Sequence, residues 1–172
     1  LVLTNRLIEC LGPGGMGKTR LALALAERQV TVNAVNYPDG IFFVELAQLT
    51  DDHDMPEAIG EALGYQIPHG TDSSKAENLA RFLRNKKLLL VLDNFEHLMA
   101  GALLPATLLQ AAPGLTILVT SRERLQLQAE LLYPIDGLRF PDWETDQDAA
   151  QYAAVKLFLQ AARRVDSRYE LN

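Results

Sequence analysis

The chain has 172 residues, 48% of them hydrophobic and 22% charged, with a formal net charge of −6. That length suits one domain with room for the start of a second, and it suffices to bury a sizeable core. The acidic balance argues against this segment holding a nucleic-acid duplex by itself, since such binding rests on Lys and Arg neutralising phosphates; the single cysteine, Cys10, excludes an intrachain disulfide.

Residues 7–11 read as a short, mostly apolar strand. Cys10 inside it is expected to be a small buried hydrophobe, with a reactive thiol as the alternative. The next eight residues, Gly12 to Thr19, fit G-x-x-x-x-G-K-[ST], the Walker A phosphate-binding loop. Glycines let such a backbone curl until several N–H groups face one anion. The start of the following helix adds partial positive charge there. Lys18 supplies a mobile point charge for the β- and γ-phosphates, and the Thr19 hydroxyl can be offered to Mg²⁺. Residues 20–29 carry Leu21, Ala22, Leu23, Ala24, Leu25 and Ala26, strong helix formers that are apolar almost all round. A helix of that kind is expected to be buried among other elements.

A Tyr-Pro-Asp-Gly turn at 37–40 precedes a second strand over 41–46. Asp54 is expected to cap a helix over 55–63, with Pro56 early in it and Gly64 just beyond. Asp51, Asp52, His53 and Asp54 could be taken for a metal cluster, but a solvated turn entering a helix cap is the preferred reading. Residues 65–73 read as a loop. Residues 75–85 form a helix with Leu79, Phe82 and Leu83 on one face.

Residues 87–93 are a continuous apolar strand ending in Asp93, the Walker B form. A strand of this kind presents its carboxylate at the sheet edge where ligands bind in open α/β sheets, so Asp93 is assigned to Mg²⁺. The alternative is an Asp that caps the next helix. Glu96 is the nearest carboxylate for orienting an attacking water, and a surface position is equally compatible with it. His97 is expected to be packed or capping rather than a base. Residues 98–112 are helical in composition, with Pro105 marking a break or a new start.

A fourth strand covers 115–120 and is followed by Ser121, Arg122, Glu123 and Arg124. A cation at that place can touch the γ-phosphate; Arg122 is assigned the role, with Arg124 as the alternative. A short fifth strand covers 131–135. A polar loop containing Trp143 leads to an amphipathic helix over 149–165. Arg163, Arg164 and Arg168 suit a solvated helix end better than a nucleic-acid patch. His53, His69 and His97 have no ligand spacing. Strands alternate with helices throughout, so the fold class is α/β with a mainly parallel sheet. No apolar run approaches membrane-spanning length and no signal-peptide pattern is present, so a cytoplasmic location is expected. A chain that starts at Leu and ends just after a helix-like segment is expected to be a piece of a longer protein.

Three segments together carry a resemblance: residues 12–20 (GPGGMGKTR), 91–98 (VLDNFEHL) and 117–125 (ILVTSRERL), with weaker support from 133–138 and 154–158. The chain resembles the nucleotide-binding domain of the STAND class of signal-transduction ATPases, which includes NB-ARC domains, and within it the large bacterial transcriptional regulators. The resemblance implies a three-layer P-loop fold with sheet order 5-1-4-3-2, a nucleotide-binding domain over 1–140, and a linker and helix over 141–172 that begin a helical subdomain. It implies an ATP/ADP switch: Gly12, Gly14, Gly15, Gly17, Lys18 and Thr19 on phosphate, Thr19 and Asp93 on Mg²⁺, and Arg122 sensing the γ-phosphate. The partners implied are the nucleotide, other domains of the same longer chain, and further copies in a full-length homo-oligomer. Many relatives carry a second acid directly after the strand-ending Asp; Asn94 stands there in this chain, which implies slow or absent hydrolysis. The competing function is an active P-loop ATPase or small-substrate phosphotransferase, although the chain lacks the Arg-rich lid that phosphotransferases use to enclose substrate.

Overall fold

A computed structural model describes residues 4–68, 73–128, 130–139, 141–142, 149–166 and 168–169. Contacts divide the chain into two units, Leu1–Ile135 and Asp136–Asn172. Five strands build the first: β1 (Leu7–Leu11), β2 (Ile41–Glu45), β3 (Leu89–Asp93), β4 (Thr116–Ser121) and β5 (Leu131–Pro134). They form one sheet in the order β2-β3-β4-β1-β5 with every pairing parallel. This is the expected order read from the other edge. The register places Glu45 beside Asp93 and Leu11 beside Ser121, so the C-terminal ends of four strands meet along one edge.

The central strands are dry because their sequences are apolar on both faces. Leu89, Leu90, Val91 and Leu92 have no exposed surface, each worth roughly 1.5–3 kcal/mol of transfer free energy. Helices cover both faces. On one lies α1 (Lys18–Val32), whose Ala22 and Ala26 pack with Ile8, Cys10, Val91 and Leu118. On the other lie α2 (Met55–Ala62), α3 (Lys75–Leu83) and α4 (Leu103–Ala111), whose Ile59, Leu79, Leu83 and Leu108 pack with Leu7, Leu90, Ile117 and Val119. Arg6 draws the end of α4 towards β1, donating to the carbonyls of Leu109, Ala112 and Leu115.

Three expectations change. The all-apolar α1 is not enclosed: Leu21 and Leu23 are 37% and 40% exposed. A helix laid on one face of a sheet buries a single stripe, and here small alanines at i and i+4 form it. Asp54 makes no side-chain cap; Asp51 instead accepts from His53 N and caps a short turn over Asp52–Asp54 that leads into α2. The helix expected over 98–112 begins only at Leu103, after two short turns at Phe95–His97 and Met99–Gly101, so Pro105 lies in a first turn. Ser74 and Glu77 close a capping box on α3 that fixes its start. Gly64, at φ +67, ends α2 as expected. Part of the loop expected over 65–73 lies outside the described residues, as do His69 and Trp143.

In the second unit a short turn at Ala149–Gln151 precedes α5 (Ala153–Val165). Its Phe158 meets Tyr169 edge-on at 5.7 Å, and Arg163 Nε donates to the Tyr169 carbonyl. Arg163 and Arg164 occupy the last turn of α5, where the helix dipole favours cations. Among the described residues, no helix is long and apolar enough to cross a membrane.

Candidate functional site

The turn between β1 and α1 lies at the C-terminal edge of the sheet. Gly15 and Gly17 adopt φ +76 and +84, values that an L side chain resists. Their freedom lets α1 start at Lys18 with no side chain capping its first N–H groups and no acid in its first turn. Those donors and the helix dipole are left to meet an anion. Lys18 is only 7% exposed. Its Nζ donates to the carbonyls of Gly12 at 2.6 Å and Pro13 at 2.9 Å, within its own loop. A phosphate oxygen carries formal charge and competes well against such neutral acceptors.

The register brings β3 and β4 up beside this turn. Thr19 Oγ1 donates to both carboxylate oxygens of Asp93, at 2.9 and 3.0 Å. The buried Thr120 Oγ1 donates to Asp93 Oδ1 at 2.5 Å and accepts from Asn94 N at 3.0 Å. Asp93 is thus oriented from two sides while Asn94 turns through φ +61. A hydroxyl and a carboxylate side by side are hard oxygen donors of the kind Mg²⁺ takes. Thr19 and Asp93 would hold the ion, with water and phosphate completing the shell.

Arg122 leaves the end of β4 and lies over the glycine turn. A Cβ on Gly14 would stand 3.2 Å from its guanidinium carbon. Its Nε is 2.9 Å from Glu96 Oε1, and Glu96 Oε2 is buried without a hydrogen-bond partner. Arg124, the alternative for this place, is held by Glu130 at 2.6 Å instead. His97 Nε2 meets the carbonyls of Leu46 and Leu49, both at 3.0 Å. It clamps the strand-end turn to the segment after β2, in keeping with a packed side chain rather than a base.

The remaining candidates make no contact with the loop or with Asp93 that gives them a part in this site. Cys10 is buried, and burial pushes its thiol up to about 11, so it stays neutral. Asp51, Asp52 and His53 cluster on the exposed turn before α2. Thr120 was not singled out by sequence reasoning. The available signal is its place as the polar end of an apolar strand, the same pattern that marks Asp93.

Residues 2–127 match the family described as AAA domain. An HTH-type transcriptional regulator of Mycobacterium tuberculosis, so designated only provisionally in its name, is 36% identical over 172 residues. The alignment covers 99% of this chain and 18% of the regulator, so this chain spans less than a fifth of that relative. Among solved structures, the ORC2 protein of Aeropyrum pernix in its ADPNP-ADP complexes superposes with a TM-score of 0.60 at 18% identity, over 96% of this chain and 48% of that one. The ORC1 protein of the same organism in complex with DNA superposes equally well at 20% identity, over 96% and 55%. That neighbour carries DNA, so the expectation that this segment makes no nucleic-acid contact finds no support among these likenesses. The parallel sheet, the phosphate loop at its edge and the matched residues agree: the chain belongs to the AAA domain family, as a P-loop ATPase-type domain related to a protein named as a transcriptional regulator.

Proposed function

We propose that this chain is an ATP/ADP-binding switch module of a larger, STAND-class signalling or transcription-regulating ATPase, with slow or no turnover by itself. The observation that carries the reading is the position of Arg122: over Gly14, at the mouth of the phosphate loop, and paired with Glu96. A cation so placed is free to trade one carboxylate for the third phosphate of ATP, which ADP lacks. Gly12, Gly14, Gly15 and Gly17 shape the cradle, Lys18 neutralises the phosphates, and Thr19 with Asp93 would hold Mg²⁺. Bound Mg²⁺ would supply charge neutralisation to the phosphates. Asn94, directly after Asp93, orients water but is a poor base, which supports slow hydrolysis. Residues 141–172 would begin the following helical subdomain, and other domains of the longer chain would read the nucleotide state.

Titration of the chain with MgADP and MgATP, alongside phosphate release at saturating MgATP with Asp93→Ala as the blank, tests the reading. Binding of both nucleotides with turnover well below about 1 s⁻¹ is the expected result. Turnover above that level favours the ordinary-enzyme alternative.

A further inference from the structure

We propose that Glu9, in the middle of β1, is a positioning residue for Arg122: together with Glu130 it forms a buried carboxyl pair that fixes the loop from which Arg122 reaches the phosphates. The inference rests on the switch reading above. It concerns a group with no part in phosphate or metal binding.

Glu9 is fully buried, and Leu7, two residues before it on the same face of β1, lies in the main core. A carboxyl in such a place is costly unless its oxygens are bonded. Both accept the Leu125 N–H, at 3.1 and 3.3 Å. The Leu125 side chain is itself inserted into the core. Glu130, whose side chain is 2% exposed, accepts the Leu127 N–H at 2.9 Å and Arg124 Nε at 2.6 Å. The segment after β4 is therefore tied down at residues 124, 125 and 127 by two carboxyl groups. Arg122 stands three residues ahead of the central tie. On its other side Ser121 accepts the Gly12 N–H through its carbonyl and bonds Glu123 through its hydroxyl.

The groups facing Glu9 are the Glu130 carboxyl, in hydrogen-bond contact, and the Arg124 cation. The neighbouring Cys10 thiol stays neutral. One cation serves two buried carboxyls, so the charged form of Glu9 is left uncompensated. Burial, opposed by the Leu125 N–H and reinforced by Glu130, raises the Glu9 carboxyl to about 7. Loss of that proton sets two anions against each other beneath the loop. The contact between the two carboxyls is lost and they move apart, which shifts the ties at residues 125 and 127 relative to each other, and Arg122 loses its fixed origin. ATP affinity then falls as pH rises through neutrality, while ADP, with no third phosphate for Arg122, is held as before.

The experiment compares MgATPγS and MgADP affinities of the wild-type chain and Glu9→Gln from pH 6 to 8.5. Phosphate titration is common to both proteins and cancels. The ATPγS-to-ADP affinity ratio of the wild type is expected to drop severalfold across the range and that of Glu9→Gln to stay level, since the amide oxygen still accepts from Leu125. Glu130→Gln, which also leaves one ionisable carboxyl in the pair, should level the ratio too and serves if Glu9→Gln does not fold. Parallel pH profiles in wild type and variants, or ATPγS and ADP affinities that fall together, overturn the proposal while leaving the nucleotide reading intact. Absence of binding of either nucleotide at any pH overturns both.

Discussion

Arg122 and Glu96 form an ion pair at 2.9 Å directly above the phosphate loop, with the second Glu96 oxygen buried and unbonded. The pair has unequal partners. Arg122 is 61% exposed and open to an incoming group, whereas Glu96, 17% exposed, sits in the short turn after β3. Whatever anion enters the loop must compete with Glu96 for this guanidinium. A carboxylate presents one charge, and a terminal phosphate presents more charge and three acceptor oxygens. On the proposed reading, the contact would lower the affinity for triphosphate without blocking it.

Glu96→Gln should accordingly favour ATP over ADP by about 1 kcal/mol, or roughly fivefold, the order expected for a solvent-accessible pair with one half-buried partner. Isothermal titration with MgATPγS and MgADP measures the ratio. If Glu96 also orients the attacking water, phosphate release falls in the same variant even as affinity rises. A drop in ATP affinity would mean that Glu96 does not compete for Arg122.

Lys18→Ala should weaken both MgADP and MgATP by about tenfold or more, since it removes a charge-assisted contact from an anion site. Asp93→Ala should behave differently. It removes the acceptor that Thr19 and Thr120 share, and nucleotide affinity should then become insensitive to chelation of Mg²⁺ by EDTA. Equal Mg²⁺ dependence in wild type and Asp93→Ala would remove Asp93 from the metal site.

Much of this site was legible in the sequence because each part is announced locally. The glycine spacing with Lys18-Thr19 fixes a loop, and the apolar run ending at Asp93 fixes a strand edge. Strand–helix alternation then makes the sheet parallel and brings those ends together. Arg122 was legible only as a cation following a strand. Thr120, Glu9 and Glu130 were not, because their importance comes from register. Thr120 matters since β4 lies against β3, and Glu9 since a loop more than a hundred residues later packs on it. The exposure of Leu21 and Leu23 departs from expectation for a related reason: composition reports how apolar a helix is, while the number of its faces that meet the sheet is a tertiary fact.

Glu9 also makes folding pH-dependent. Its carboxyl rises from an ordinary 4.5 to about 7 in the folded chain. The folded state thus holds the proton more tightly than the unfolded one, and its contribution to stability is complete below about pH 4.5 and lost as pH climbs through 7. The difference corresponds to about 3 kcal/mol. Urea unfolding at pH 5 and pH 8 should show wild type losing stability relative to Glu9→Gln by that order. A constant difference between the two proteins would place the buried charge elsewhere.

Gly14→Ala offers a test of Arg122 placement that leaves the arginine intact. The new methyl would stand 3.2 Å from the guanidinium carbon, and Gly14 is not in the left-handed region, so the backbone tolerates alanine. The flexible arginine yields and is displaced from the loop. ATP affinity should fall severalfold with ADP affinity nearly unchanged, read by competitive displacement of a fluorescent nucleotide. Equal losses for both nucleotides would mean that the methyl disturbs the cradle itself.

Thr120→Val separates the support of Asp93 from Asp93 itself. Valine keeps the shape of a fully buried side chain in an all-buried strand, so packing is preserved. The hydroxyl that donates to Asp93 and accepts from Asn94 N is lost. Asn94 N–H is then left without its acceptor and Asp93 with Thr19 alone. Stability should fall by about 1–3 kcal/mol, the cost of leaving such groups unbonded. Because Asp93 can now swing, the Mg²⁺ concentration needed for half-maximal nucleotide binding should rise while metal-free affinity holds. An unchanged Mg²⁺ requirement in a destabilised protein would confine Thr120 to a structural role and leave the carboxylate positioned by Thr19 and its own dry strand.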